Sequence, residues 1–440
     1  MNDDWPDLAV ADVTVMVKRG RAPQYADHGA LVVSQKCIQY GNEFSTALAR
    51  RTDALSKPVP EWAWLLETDT LVNSTGRGTL GRAAYVGRLD EPTTADSHVA
   101  IVRPDPRKVV PRFLGIVLSA SFTNIESLQS GSTSQTELSP SSLQMMRIPV
   151  PPLPVQRRIV DLMAHLDNQI ANLRTERDAG RGLRKATLSN LLDATREIPA
   201  DYDAAFDLAF PAPQASPTSE PAMNDDWPSV RVDELLEASI GGVWGSDPGE
   251  SDVDVTVFRS TDFNPDGHLS LEKGARRSVT TSQLASRQMR HGDVLLEKSG
   301  GGPNQPVGRV AYVEGAVPEP SVCANFIQFL RPDTNRVVCK YLFYALWADH
   351  SNDVTLEYQA QTTGIRNLRT KDYLARQIAL PPLPEQRRIV DLMAHLDKQI
   401  AGMDVEVSTL ESLRRQLLAS LLSQGVELPT SYDLLLEGVA

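Results

Sequence analysis

The chain has 440 residues, 41% of them hydrophobic and 23% charged, a composition that supports roughly two to four globular domains, each with its own core. No uncharged apolar run reaches the roughly eighteen residues of a membrane-spanning helix, which excludes that class. The net charge of −12 argues against a surface coated in phosphate contacts, but the deficit is spread along the chain and residues 1–150 are nearly neutral, so charge permits DNA binding without indicating it.

The first residues, Met1-Asn2-Asp3-Asp4-Trp5, are acidic where a secretory signal is basic and then apolar, so the chain reads as cytoplasmic with no membrane partner. Cys37, Cys323 and Cys339 form no Cys-x-x-Cys pair, which supports neither a disulfide framework nor a cysteine zinc site. Ala30–Val33 is a short apolar run between turn formers and predicts a strand. Residues 76–81 match Gly-x-Gly-x-x-Gly, yet Arg82–Val86 reads as a strand rather than the helix a dinucleotide site needs. A glycine-rich turn is the expectation there. Val109–Leu118 has the apolar spacing of a helix.

After Pro151-Pro152-Leu153-Pro154, residues Ile159, Met163, Leu166, Ile170 and Leu173 recur at steps of four and three, the seam of helices that pair. Gly180-Arg181-Gly182 predicts a break or kink in that helix. Residues 199–222, rich in Pro, Ala and Ser towards their end, read as a linker. Met223–Pro228 then repeats Met1–Pro6. Strands are expected at Asp293–Leu296 and within Val307–Val313, and a helix over Val337–Trp347.

Residues 381–401 copy residues 151–171 at nineteen of twenty-one positions, differing only at Val155/Glu385 and Asn168/Lys398. The second seam runs through Ile389, Met393, Leu396, Ile400, Met403, Val407 and Leu410. The chain is therefore two half-proteins joined head to tail. Between the copies the halves diverge, with echoes such as Val102-Arg103-Pro104-Asp105 against Leu330-Arg331-Pro332-Asp333 and Gly81–Val86 against Gly308–Val313. The expected class is α/β (α+β): two mixed α/β domains separated by an antiparallel pair of long coiled-coil-like helices, in a pseudo-two-fold internal repeat. The expected boundaries are 1–150, 151–198, 199–222, 223–380, 381–424 and a tail over 425–440.

Catalytic signatures are missing. There is no Walker A sequence, no Gly-x-Ser-x-Gly elbow, no His-Glu-x-x-His helix and no Asn-Pro-Pro-Tyr/Phe motif. Asp293 with Glu297-Lys298 only superficially suggests a nuclease. His165 and His395 read as interface or surface residues, and Arg157, Arg158, Arg387 and Arg388 as partner contacts or local ion-pair donors. No catalytic residue and no metal site is expected.

The Pro-Pro-Leu-Pro-x-Gln-Arg-Arg-Ile-Val openings at 151–160 and 381–390, with the preceding segments around Val72–Gly76, Gly292–Leu295, Thr363–Leu368 and Lys18–Tyr25, resemble the specificity (S) subunit of type I restriction–modification systems. The resemblance spans essentially the whole chain in the order domain, helix, domain, helix. It implies two target recognition domains, each reading half of a split site in double-stranded DNA, and a helical ruler that sets the spacer. It also implies two modification subunits that bind S-adenosylmethionine and methylate adenine N6, and restriction subunits that use ATP with Mg where a nuclease is present. This chain itself would carry no cofactor. Side chains able to reach base edges or phosphates in the divergent loops are Lys18, Arg19, Arg21, Gln24, Arg77 and Gln135 in the first domain. In the second they are Lys298, Asn304, Gln361, Thr362, Arg366, Asn367 and Arg369. The alternative is a two-fold structural adaptor that binds proteins through its terminal domains.

Overall fold

The computed structural model describes residues 5–42, 44–54, 57–76, 78–128, 137–192, 227–264, 266–300, 306–315, 317–318, 320–362, 365–426 and 428. The expected linker lies outside the described residues, as does most of the tail. The chain divides into two units, Met1–Arg174 with Asp404–Ala440, and Thr175–Met403. No helix of the described residues is long and apolar enough to cross a membrane.

In the first unit an antiparallel sheet runs in the order Thr14–Arg19, Val99–Pro104, Thr70–Asn73, Ala83–Tyr85. A second sheet runs Tyr25–Ala26, Arg50–Thr52, Ala30–Val33, Thr93–Ala95, its last pair parallel. Asp7–Ala9 pairs with Arg147–Pro149 and ties the two ends of the domain together. The helix Pro111–Ala120 opens on proline at its first position, where a missing N–H costs nothing, and buries Phe113, Leu114 and Val117. The expected strand at Ala30–Val33 and the expected helix are both present.

The second unit builds the same frame from different residues. Its large sheet runs Leu236–Gly241, Ile327–Pro332, Val294–Glu297, Val310–Tyr312, with an irregularity in the first strand at Leu236/Ala238 that matches the one at Thr14/Met16. Its small sheet runs Ala275–Val279, Val253–Phe258, Ser321–Cys323, again with one parallel pair. Ser229–Arg231 pairs with Gln377–Ala379, and the helix Cys339–Ser351 takes the place of the first unit's Pro111–Ala120. The second unit also has a hairpin, Gln359–Thr362 with Ile365–Leu368, and a short helix, Thr281–Arg287.

Close backbone approach explains a glycine kept in both units. A Cβ at Gly20 would stand 2.1 Å from the Ala95 carbonyl oxygen, and one at Gly242 would stand 2.2 Å from that of Ala324.

Leu153–Leu192 and Leu383–Leu422 are helices of 40 residues, each about 60 Å long at 1.5 Å per residue. In the first unit Asp167 meets Arg414 and Arg174 meets Glu411, so one number falls as the other rises and the segments are antiparallel. Ile159, Met163 and Leu166 pack there with Leu418 and Leu421. In the second unit Arg184 meets Asp397 while Gly180 lies against Ile400, the same antiparallel sense, and Leu188 and Leu191 join Ile389, Met393 and Leu396 in the core. Of the seam positions predicted from spacing, Ile159, Met163, Leu166, Ile170, Ile389, Met393, Leu396, Ile400 and Val407 are buried, while Leu173, Met403 and Leu410 are half-buried.

The expected break at Gly180–Gly182 does not occur, and the helix runs through. Each helical glycine costs about 1 kcal/mol against alanine. The burial of Leu188 and Leu191 and the Arg184–Asp397 pair, all just beyond the glycines, outweigh that preference.

Candidate nucleic-acid interface

Buried ion pairs brace the large sheet of each unit. Arg103 donates to both carboxylate oxygens of Asp69 at 2.8 Å, and to the Trp64 carbonyl at 2.8 Å. Arg331 donates to both oxygens of Asp293 at 2.9 and 3.0 Å, and to the Gln288 carbonyl at 3.0 Å. The sequence echo around Arg103 and Arg331 is thus the trace of one structural clamp. Burial pushes the Asp293 carboxyl up, against the pull of Arg331. Glu297 is held by Arg309 at 2.7 and 2.9 Å. The two acids that superficially suggested a nuclease are therefore both engaged by arginines. No group of three or more His, Cys, Asp or Glu side chains among the described residues could hold a metal ion.

The clamps fix the strands from which the loops spring. In the first unit a turn follows Thr70–Asn73, with Gly76, Gly78 and Gly81 all at positive φ, and the strand Ala83–Tyr85 comes next. This is the expected glycine turn. Gly81 and its counterpart Gly308 have φ of 87° and 109°, which an L side chain adopts only with strain. Thr75 bridges to Glu137, and the Leu138 N–H donates to the Ser74 carbonyl at 2.8 Å. The second unit repeats this junction. Ser299 bridges to Asn367, its hydroxyl donating to Asn367 Oδ1 at 2.6 Å, and the Leu368 N–H donates to the Lys298 carbonyl at 2.8 Å. In each unit two segments far apart in sequence meet at one place.

The predicted residues fall around these junctions in different ways. Lys298, Arg366 and Asn367 come together in the second unit, with the Gly300 N–H donating to the Arg366 carbonyl at 3.2 Å. Gln361 and Thr362 lie in the adjoining strand of the hairpin, and their side chains are outside the described residues, as are Arg77, Gln135 and Asn304 altogether. Arg369 is exposed and serves local structure, donating to the Glu357 carbonyl at 2.7 Å and pairing with Asp372 at 3.2 Å. Arg19 reaches the first unit's junction, donating to the Leu138 carbonyl at 2.6 Å and pairing with Glu137. Lys18 lies 5.0 Å from the Trp62 ring centroid, and Arg21 and Gln24 are exposed in the segment that follows. His165 and His395 are exposed on the long helices, as are Arg157 and Arg387.

Two sets of residues escaped the sequence reading. Arg50, stacked 3.3 Å from the Tyr25 centroid, and Arg277, 5.0 Å from that of Trp244, lie on the small sheets. The only signal for them was a pair of adjacent arginines in each strand, Arg50-Arg51 and Arg276-Arg277. Gln156 and Gln386, buried at the openings of the long helices, accept from the backbone N–H of Val110 and Val338 at 2.7 Å each. Their invariance between the copies was visible, their partners were not.

The family described as "Type I restriction modification DNA specificity domain" matches residues 63–179 and 224–408. The chain is 21% identical over 438 residues to the type I restriction enzyme StySPI specificity subunit of Salmonella potsdam, covering 95% of this chain and 88% of that one. It is 21% identical over 203 residues to the putative type I restriction enzyme MjaX specificity subunit of Methanocaldococcus jannaschii, covering 46% and 47% of the two chains. A solved structure described as "Structural basis underlying complex assembly and conformational transition of the type I R-M system" shares the fold with a TM-score of 0.55 at 21% identity, over 96% of this chain and 98% of that one. With well over half of its residues matched, the chain belongs to the type I restriction–modification specificity subunits, which recognise DNA sequence and are not themselves enzymes.

Proposed function

We propose that the chain reads a bipartite site in double-stranded DNA, one half through residues 1–150 and the other through residues 223–380. The observation that carries this reading is the repeated frame with unlike loops. Both units keep the same strand order, arginine clamp and loop junction, yet the side chains at the junction differ: Thr75 and Glu137 in one, Ser299 and Asn367 in the other. Shared scaffolding with different reading residues suits two different half-sites.

The base-edge and phosphate contacts fall to Lys18, Arg19, Arg21, Gln24, Arg77 and Gln135 in the first domain, and to Lys298, Asn304, Gln361, Thr362, Arg366, Asn367 and Arg369 in the second. The repeated helices set the spacer between the half-sites and hold two adenine-N6 methyltransferase subunits. S-adenosylmethionine belongs to those subunits, ATP with Mg to restriction subunits where they join, and the chain itself carries no cofactor.

Single-molecule methylome sequencing of a host with and without this gene, the partner methyltransferase kept intact, tests the reading. Loss of an N6-methyladenine motif made of two short half-sites around a fixed gap is the expected result. A contiguous motif, or methylation by the purified complex without sequence preference, refutes it.

A further inference from the structure

The small sheets of the two units can be superposed residue by residue through their pairing. Arg50 stands opposite Val32, and Val32 lies beside Thr94 in the parallel pair. The corresponding place in the second unit is Ala275, opposite Val257, which lies beside Val322. Arg277 follows two residues along the same strand. Side chains two apart in a strand share a face, so Arg50 and Arg277 occupy equivalent faces of the two small sheets. Each stacks on an aromatic side chain supplied by the segment after the conserved close-approach glycine, Tyr25 after Gly20 and Trp244 after Gly242.

Their electrostatic surroundings differ. Arg50 is exposed and makes no ion pair within 4.0 Å among the described residues. Its neighbour Arg51 is the one neutralised, donating to Glu91 at 2.7 and 3.1 Å and to the Gly29 carbonyl at 2.7 Å. Arg277 is paired with Asp247, donates to the Gly245 carbonyl at 3.3 Å, and leaves only 19% of its side chain exposed. A guanidinium that is stacked, exposed and bonded to no carboxylate among the described residues suits a phosphate oxygen, because its contact with Tyr25 limits rotamer freedom while the remaining N–H donors stay available. One already bonded to a carboxylate does not.

We propose that Arg50 contacts a phosphate of the DNA backbone, and that its same-face counterpart Arg277 is kept from that role by Asp247, so that the two units hold the backbone unequally. The inference rests on the reading that both units bind DNA. Charge complementarity between a guanidinium that no carboxylate neutralises and the phosphodiester selects the occupant. Gln24 directly precedes Tyr25 and Arg21 lies four residues before it, both exposed.

The test uses the full chain assembled with its methyltransferase subunits, with fluorescence anisotropy of target and non-target duplexes across a salt series. Each phosphate contact steepens the slope of log affinity against log salt by about 0.9, worth about fivefold in affinity at about 0.15 M salt. Arg50→Ala is expected to flatten the slope by one such step on both duplexes while the methylated sequence stays the same, and Arg50→Lys to keep the slope. Arg277→Ala is expected to leave the slope unchanged, whereas Asp247→Ser steepens it by one step. An unchanged slope in Arg50→Ala, or a changed methylation motif, overturns the Arg50 assignment. An unchanged slope in Asp247→Ser overturns the masking of Arg277. If the unaltered complex shows no preference for its target, the reading of the whole chain fails instead, and that outcome is distinct from the other two.

Discussion

Arg184 is bonded to Asp397, and Arg414 is bonded to Asp167 at 2.5 and 3.1 Å. Residues 184 and 414 hold the same place in the repeat, as do 167 and 397, so each copy gives its arginine to the other copy's aspartate. A two-fold dimer of identical chains makes reciprocal contacts of this kind across its interface. Here one chain makes them, once in each unit.

The two pairs differ in burial, and this predicts unequal costs. Arg184 is 2% exposed, stacks 4.0 Å from the Trp347 centroid, and Asp397 also accepts from the Tyr344 hydroxyl at 2.7 Å. Asp397→Ala strands a buried cation and is expected to destabilise the second unit by about 3–5 kcal/mol. Asp167 is 38% exposed, so Asp167→Ala is expected to cost about 1 kcal/mol or less. Urea unfolding of both variants checks the order, and equal losses would refute it.

Gln156 and Gln386 lock the long helices to the domains. Each accepts from a helix-capping backbone N–H and donates to the carbonyl of Pro151 or Pro381, at 2.7 and 2.8 Å. Replacing either by alanine leaves a buried donor and acceptor unpaired, a loss of about 1–3 kcal/mol. Glutamate can still accept from the N–H but cannot donate to the carbonyl, so Gln156→Glu should also destabilise. Full stability in that variant, measured by urea midpoint, would show that the second bond does not matter.

Asp349 makes the second unit lose stability as pH rises. Burial pushes its carboxyl up to about 6, against Arg376 and the Tyr373 hydroxyl, which donates to it at 2.9 Å. An unfolded aspartate titrates near about 4, so the folded unit binds the proton more tightly. The stability this contributes is complete below about 4 and is lost as pH rises through about 6. Asp349→Asn should remove that decline. Unfolding midpoints between pH 4 and 7 for both proteins measure it, and an identical pH profile would count against the assignment.

Two of the three cysteines should be inert in the folded chain. Cys37 and Cys323 are fully buried, and burial pushes the Cys323 thiol up to about 12 and the Cys37 thiol up as well. Alkylation followed by mass mapping should leave both unmodified until denaturant is added. Rapid labelling of either in native buffer would contradict the packing.

The repeated frame is legible in the amino-acid sequence because its signals are local. Ile159, Met163, Leu166 and Ile170 lie within one stretch of helix, and the period of their spacing says which face is buried. Ala30–Val33 and Pro111–Ala120 are readable for the same reason. Copying of residues 151–171 into 381–401 determines the two-fold plan outright.

What only the tertiary structure decided are relationships between distant residues. Arg184 and Asp397 are 213 positions apart, Gln156 and Val110 are 46 apart, and Arg50 meets Tyr25 only because their strands pair. Such contacts are set by strand register and helix packing, and no local pattern encodes which guanidinium finds a carboxylate and which stays free. Gly180–Gly182 shows the same division from the other side: a weak local preference for a break gave way to the burial of leucines and one ion pair further along the helix.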